Sequence, residues 1–219
     1  MDLHYTFHHE LVKLNKKSLK LSAMVEDRVR RATSVIQTKD NEAIQKLILS
    51  DYEVDEMEVE IEEDCLKILA LHQPVASDLR FLIAVIKINN EMERIADIAV
   101  NIAMRVQAIA NSKSTAPATI DFRPMSEKVI TMLKMSLDAL GNRDASVARR
   151  IFLIDDDVDS FRNTVYEKVK DLIRKYPEHP GALINTYLLA RHLERIGDRA
   201  TNIAEEVIYL VEGSIVRCP

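Results

Sequence analysis

Glu93-Arg94-Ile95-Ala96-Asp97 recurs as Glu194-Arg195-Ile196-Gly197-Asp198. From Glu93 to Glu194 is an offset of 101 residues, and both copies run on alike, Asn101-Ile102-Ala103 answering Asn202-Ile203-Ala204. Acids four residues apart sit about 40° apart around a helix, so both side chains leave on the same side. Like charges at that spacing repel by roughly a few tenths of a kcal/mol. Two such pairs in matching places, each inside a long apolar-patterned segment, call for compensation, and a bound cation is the obvious one.

Working outward, the pattern around both copies is helical. A first helix over residues 3–37 carries Phe7, Leu11, Leu14, Leu21, Val25, Ala32 and Val35 in 4-3 spacing, with Ser18 and Arg28 as polar exceptions. Asp40 reads as an N-cap for a second helix over 41–71, which Gln73-Pro74 ends. A third covers 75–110. The stretch from Asn111 to Pro117 is small, polar and linker-like. Beyond it, a fourth helix covers 123–140 with Gly141 as its C-cap, a fifth is capped by Asp144 and reaches Tyr176, and a sixth continues to Glu212. Asp40 answers Asp144, and Val54-Asp55 answers Val158-Asp159, at an offset of 104. The fold expected is all-α: six long antiparallel helices forming two tandem three-helix bundles related by an internal repeat, residues 1–111 and 112–219.

Composition agrees. The 219 residues include only 4 Gly and 6 Pro, so turns are few and elements long. Aromatics are 5% with no Trp, which argues against a β-sandwich or barrel and against a base-stacking surface. The net charge of −5 gives no general pull toward nucleic acid. Cys65 and Cys218 have no metal-type spacing. No signal peptide and no membrane span is legible, and a cytoplasmic protein, recruited to the inner face of the membrane by partners, is expected.

Each half has a second acid pair on its middle helix: Asp51 and Asp55, then Asp155 and Asp159. In an antiparallel hairpin, residues equidistant from the turn lie level. Asp55 and Glu93 are equidistant from Pro74, as are Asp51 and Asp97. The Tyr176–Pro177 bond stands midway between Asp159 and Glu194, and between Asp155 and Asp198. Each half should therefore bring four carboxylates together on an extension of its apolar seam. They cannot all stay ionised there without compensating charge. Oxygen-only ligands suit hard cations, Mg²⁺, Mn²⁺, Ca²⁺ or iron. Asn101 and Asn202, one turn on, could each add an amide oxygen, or could cap or bond between helices. Glu58 and Glu62 extend the first acid stripe, but Arg162 and Tyr166 replace them in the second half, and both glutamates read as surface residues. His192, about 200° around the helix from Glu194, reads as surface or packing. Arg94 and Arg195, beside the acids, suggest salt bridges or partner contacts. No phosphate-binding Gly loop, catalytic triad, catalytic Cys or Glu-x-x-His pattern is present.

At these residues the sequence resembles the PhoU family of phosphate-uptake regulators. The paired Glu-Arg-Ile-x-Asp copies, Gln73-Pro74-Val75-Ala76-x-Asp78-Leu79-Arg80, the two middle-helix acid pairs and the Asn202-Ile203-Ala204 tail carry the likeness. The resemblance implies multinuclear metal clusters, iron foremost with Mg, Mn, Ca or Zn as alternatives. They would be held by Asp51, Asp55, Glu93, Asp97, Asp155, Asp159, Glu194 and Asp198. It implies a non-enzymatic cytoplasmic adaptor, a homodimer, that joins a phosphate ABC transporter ATPase to a sensor histidine kinase and represses the phosphate-starvation response. Arg94, Arg195, Asp78 and Arg80 are candidate partner contacts. The second half lacks the Gln-Pro-Val-Ala-x-Asp-Leu-Arg segment, so the halves need not meet partners alike. Two other readings remain: a metal-dependent hydrolase or oxidase, since clustered carboxylates can hold two metals that activate water, and a metal-free helical scaffold.

Overall fold

The computed structural model describes residues 3–50, 52–112 and 120–217, with side chains from Thr6 onward. Asp51, most of the linker and Cys218 lie outside the described residues. The elements are α1 (Leu3–Thr38), α2 (Asn41–Leu49), α3 (Tyr52–His72), α4 (Ala76–Ala110), α5 (Arg123–Asn142), α6 (Ala145–Lys175) and α7 (Pro180–Glu212). There is no strand among the described residues.

α1, the α2–α3 arm and α4 pack together, as do α5, α6 and α7. α4 and α7 form the most extensive helix pair in the molecule and join the halves. The seam read in α1 is the buried one, with Leu14, Leu21, Val25, Ala32 and Val35 in the core. The repeat also holds in space. Val54 and Val158, Ile61 and Val165, Ile95 and Ile196, and Ile102 and Ile203 are pairwise equivalent, and all eight are fully buried. Each contributes about 2 kcal/mol of apolar burial, so these faces fix which side of each helix turns inward.

Two local expectations are corrected. The second predicted helix is broken: α2 ends at Ser50, whose hydroxyl donates to the Leu47 carbonyl at 3.0 Å, and α3 begins at Tyr52. The cause is tertiary. Arg28 of α1, nearly sealed from solvent, donates through Nη2 to the Ser50 carbonyl, so a backbone group freed by the break has a partner. Gly141 is not a C-cap. α5 continues through it to Asn142, and Arg143 takes the left-handed position at φ 52°, its guanidinium 5.3 Å from the Phe81 ring centre. The N-caps are as read: Asp40 accepts from the Glu42 and Ala43 amides, and Asp144 from those of Ser146 and Val147. α7 ends on Gly213 at φ 72°, a conformation glycine adopts without strain.

Candidate metal centre

The α3–α4 hairpin turns on Gln73, Pro74 and Val75. The Gln73 amide still bonds the Leu69 carbonyl at 3.2 Å, Pro74 has no amide to continue the ladder, and the Asp78 amide bonds the Val75 carbonyl at 3.3 Å. Further along, Asn89 of α4 is buried and donates through Nδ2 to the Glu58 carbonyl of α3 at 2.8 Å. That bond fixes the register within one residue of the one read from equidistance to Pro74. In consequence, oxygen atoms of Asp55, Glu93 and Asp97 all lie within 4.8 Å of one another. Asp51, the fourth acid expected here, lies outside the described residues.

This cluster is electrostatically strained. Two unit negative charges at 4.8 Å repel by about 3 kcal/mol at an effective dielectric of about 20, and water at exposed Asp55 reduces that figure. Burial, first, and then the charges of Asp97, Asp55 and Glu58 push the Glu93 carboxyl up to about 7. Glu58 is itself raised, by burial and by Glu62 and Asp55. It is half-buried rather than a free surface residue, and its charge reaches Glu93.

In the second half α6 and α7 bring Asp155, Asp159, Glu194 and Asp198 near enough to feel one another's charge. Among the described residues, however, no three of their oxygens close up as those of Asp55, Glu93 and Asp97 do. All four acids are half-buried. Asp155 lies where α7 has no Cβ: a methyl group added at Gly197 would stand 3.4 Å from Asp155 Oδ1. That oxygen is buried without a hydrogen-bond partner. Burial, with the charges of Asp198, Asp159, Asp156 and Glu194, raises Asp155 to about 6. Here, however, a cation is already present. Arg162 Nε and Nη2 each stand 2.9 Å from Glu194 Oε1. Burial still raises Glu194 and Asp198, but Arg162 opposes the rise in both, joined at Asp198 by Arg199 and Arg195.

The remaining expected residues divide. Asn101 donates to the Asp97 carbonyl one turn back at 2.9 Å. Asn202 reaches across to Glu91 of α4 at 3.3 Å, where Arg199 also bonds, so it ties helix to helix. Arg94 is exposed and 3.9 Å from Glu91; Arg195 is half-buried. Asp78 lines a groove with His8, Leu11, Leu19, Phe81 and Arg143. The Arg80 guanidinium packs 3.9 Å from the position a Cβ would take on Gly213. His192 is buried, and burial plus three arginines lower it to about 4, which fits packing rather than a ligand role. Sequence reading missed Asn89, and it named Glu58 only as a surface acid and Arg162 only as its replacement. An Asn on the apolar face of α4, and an acid-to-base exchange at the repeat offset, were the available signals.

The donor set is oxygen only, crowded and partly desolvated, and in the second half an orphaned carboxylate oxygen points at no partner. Such a set accommodates hard cations, with Asp55, Glu93 and Asp97 as the oxygens at hand in the first half.

A family model described as the PhoU domain matches the chain twice, over residues 19–106 and 122–207. The "Phosphate-specific transport system accessory protein PhoU homolog" of Pseudomonas putida is 32% identical over 211 residues, covering 96% of this chain and 82% of that protein. The "Phosphate-specific transport system accessory protein PhoU" of Escherichia coli is 31% identical, covering 96% and 87%. Among solved structures, "Crystal structure of PhoU from Pseudomonas aeruginosa" superposes with a TM-score of 0.90 at 33% identity, over 95% of this chain and 100% of that one. The PhoU of Streptococcus pneumoniae, titled a phosphate transport system regulatory protein, gives 0.85 at 28% identity, over 96% and 99%.

Proposed function

This chain belongs to the PhoU family, and on that premise we propose that it is a metal-binding accessory regulator of phosphate transport. In this reading it works at the cytoplasmic side of a phosphate ABC transporter. It contacts the transporter ATPase and a sensor histidine kinase, and it holds the phosphate-starvation response down when phosphate is plentiful. The family is one of regulatory accessory proteins rather than enzymes, so its output is a shape offered to partners and not a product.

The observation that carries the metal part is the gathering of Asp55, Glu93 and Asp97 across the α3–α4 hairpin, with Glu93 pushed up to about 7. A cation removes the repulsion and pins α3 to α4. It thereby sets the position of the Gln73–Val75 turn and of Asp78 and Arg80 beside it, where the family motif lies. Iron, Mn²⁺ or Mg²⁺ would be held by Asp55, Glu93 and Asp97, and in the second half by Asp155, Asp159 and Asp198 with Glu194. Such ions supply positive charge and cross-linking. Among the described residues no helix is long and apolar enough to cross a membrane, so attachment to the transporter would be through partner contacts. A homodimer is the assembly proposed.

The test is a pull-down of the metal-loaded and metal-stripped chain with the transporter ATPase and the kinase's cytoplasmic part, each from its own host. Capture of both, stronger with metal, supports the reading; capture of neither in any metal state removes it. Deletion in the host should raise phosphate uptake in phosphate-rich medium.

A further inference from the structure

Aligning the two halves of the sequence by their repeat matches each of the candidate ligand acids to an acid, but not every acid beside them. Asp51, Asp55, Glu93 and Asp97 correspond to Asp155, Asp159, Glu194 and Asp198, but Glu58 corresponds to Arg162. The equivalent pairs Val54/Val158 and Ile61/Val165 on either side of this position are buried alike, so both helices turn the same face inward around it. An acid replaced by a base changes the local charge by two units, the charge of one divalent ion.

The geometry shows where that charge goes. Arg162 directs Nε and Nη2 to the same oxygen of Glu194, 2.9 Å away, with the carboxylate side chain 12% exposed and the guanidinium side chain 27%. Its Nη1 is held at 2.6 Å by Asn163 Oδ1, which orients the fork. A guanidinium cannot coordinate a metal, and while it covers Glu194 Oε1 that oxygen is unavailable to one. In the first half the charges acting most on Glu93 are all negative, and Glu58 adds to them. The second half keeps some unmet demand for positive charge, since Asp155 Oδ1 remains buried and unpartnered.

We propose that Arg162 is a resident cation that stands in the place of one metal ion. The two halves are then unequal sites: the first cluster loads at lower metal concentration and with more ions than the second. This rests on the reading of both clusters as divalent-cation sites. Arg162 is a specificity-determining residue here, because it decides how much metal the second half takes while binding none itself.

The experiment is Mn²⁺ titration of the full chain, read by calorimetry, by bound-metal analysis after dialysis, and by the electron paramagnetic resonance of Mn²⁺ pairs. Wild type should show two affinity classes. The double variant Glu93→Gln/Asp97→Asn should lose the tighter class and keep the weaker. Arg162→Glu should bind about one more Mn²⁺ per chain, and Arg162→Gln should tighten the weaker class by about tenfold or more. Arg162→Lys keeps the charge without the fork, so it should tighten the weaker class less than Arg162→Gln does; circular dichroism confirms that each variant is folded. One affinity class in wild type, unchanged in Arg162→Gln and Arg162→Glu, overturns the role of Arg162 while leaving metal binding intact. Absence of Mn²⁺ binding to every form overturns the metal reading itself.

Discussion

Asn89 on α4, almost fully buried, donates to the backbone carbonyl of Glu58 on α3 across 2.8 Å. A buried amide of this kind locks one helix against its neighbour at a single register. Asn89→Ala should lower stability by about 1–3 kcal/mol, measured as a shift of the urea midpoint in chelator. It should also weaken metal binding, because Asp55 and Glu93 are levelled by that register. A variant with wild-type midpoint and affinity would show that apolar packing alone sets it.

Glu93→Gln should have opposite effects with and without metal. In chelator at pH 8 the variant removes a half-buried charge that Asp97, Asp55 and Glu58 all repel, so its melting temperature should rise above wild type. With Mn²⁺ at about a hundred times the dissociation constant, wild type should gain about 2.7 kcal/mol, and the variant much less. Equal gains in both proteins would remove Glu93 from the ligand set.

Metal-free stability should fall as pH rises. The Glu93 carboxyl stands at about 7 in the folded chain against 4.5 for the free group, and Asp155 at about 6 against 3.8. Across these windows the folded chain keeps protons that the unfolded chain has released, so raising the pH favours unfolding. Two kinds of group act in the opposite sense. His192, held down to about 4, disfavours folding below pH 6.5, because only the unfolded imidazole takes up a proton there. The lowered acids Asp121, Asp144 and Glu212 do so in more acidic solution. Between pH 5 and 7.5 the two raised carboxyls together outweigh His192. Thermal melts in chelator should therefore show a higher midpoint at pH 5 than at pH 7.5. Metal should reverse the order, because its ligands must be deprotonated. A melting point that climbs with pH in chelator would contradict the assignment.

Arg28→Met preserves the apolar stem inside α1 and deletes the donor to the Ser50 carbonyl. Loss of that buried, charge-assisted bond should cost about 1–3 kcal/mol. Amide hydrogen exchange should quicken around the α2–α3 junction before anywhere else. Uniform change across the chain would mean that the junction does not depend on Arg28.

Much of this architecture can be read before any coordinate. The 4-3 seams, Asp40 and Asp144 as caps, and the level placing of Asp55 and Glu93 about Pro74 are local or follow from two-fold counting, and the structure realises them. What escaped reading was decided by distant side chains. The break after Ser50 is stabilised by Arg28, more than twenty residues back, and no local pattern announces it. Gly141 looked like a helix end because glycine favours left-handed backbone, yet Arg143 takes that conformation, with its guanidinium over Phe81. Arg162 was visible as a departure from the repeat, but its meaning needed the 2.9 Å approach to Glu194.

The broad seam between α4 and α7 carries one last implication. Each of these helices lends acids to its own cluster while its other flank is sealed by its twin from the opposite half. Neither half is a free-standing module: severed at the linker, each would bare a long oily strip to water and would clump or pair with a copy of itself. The two copies of the repeat are, in this chain, inseparable.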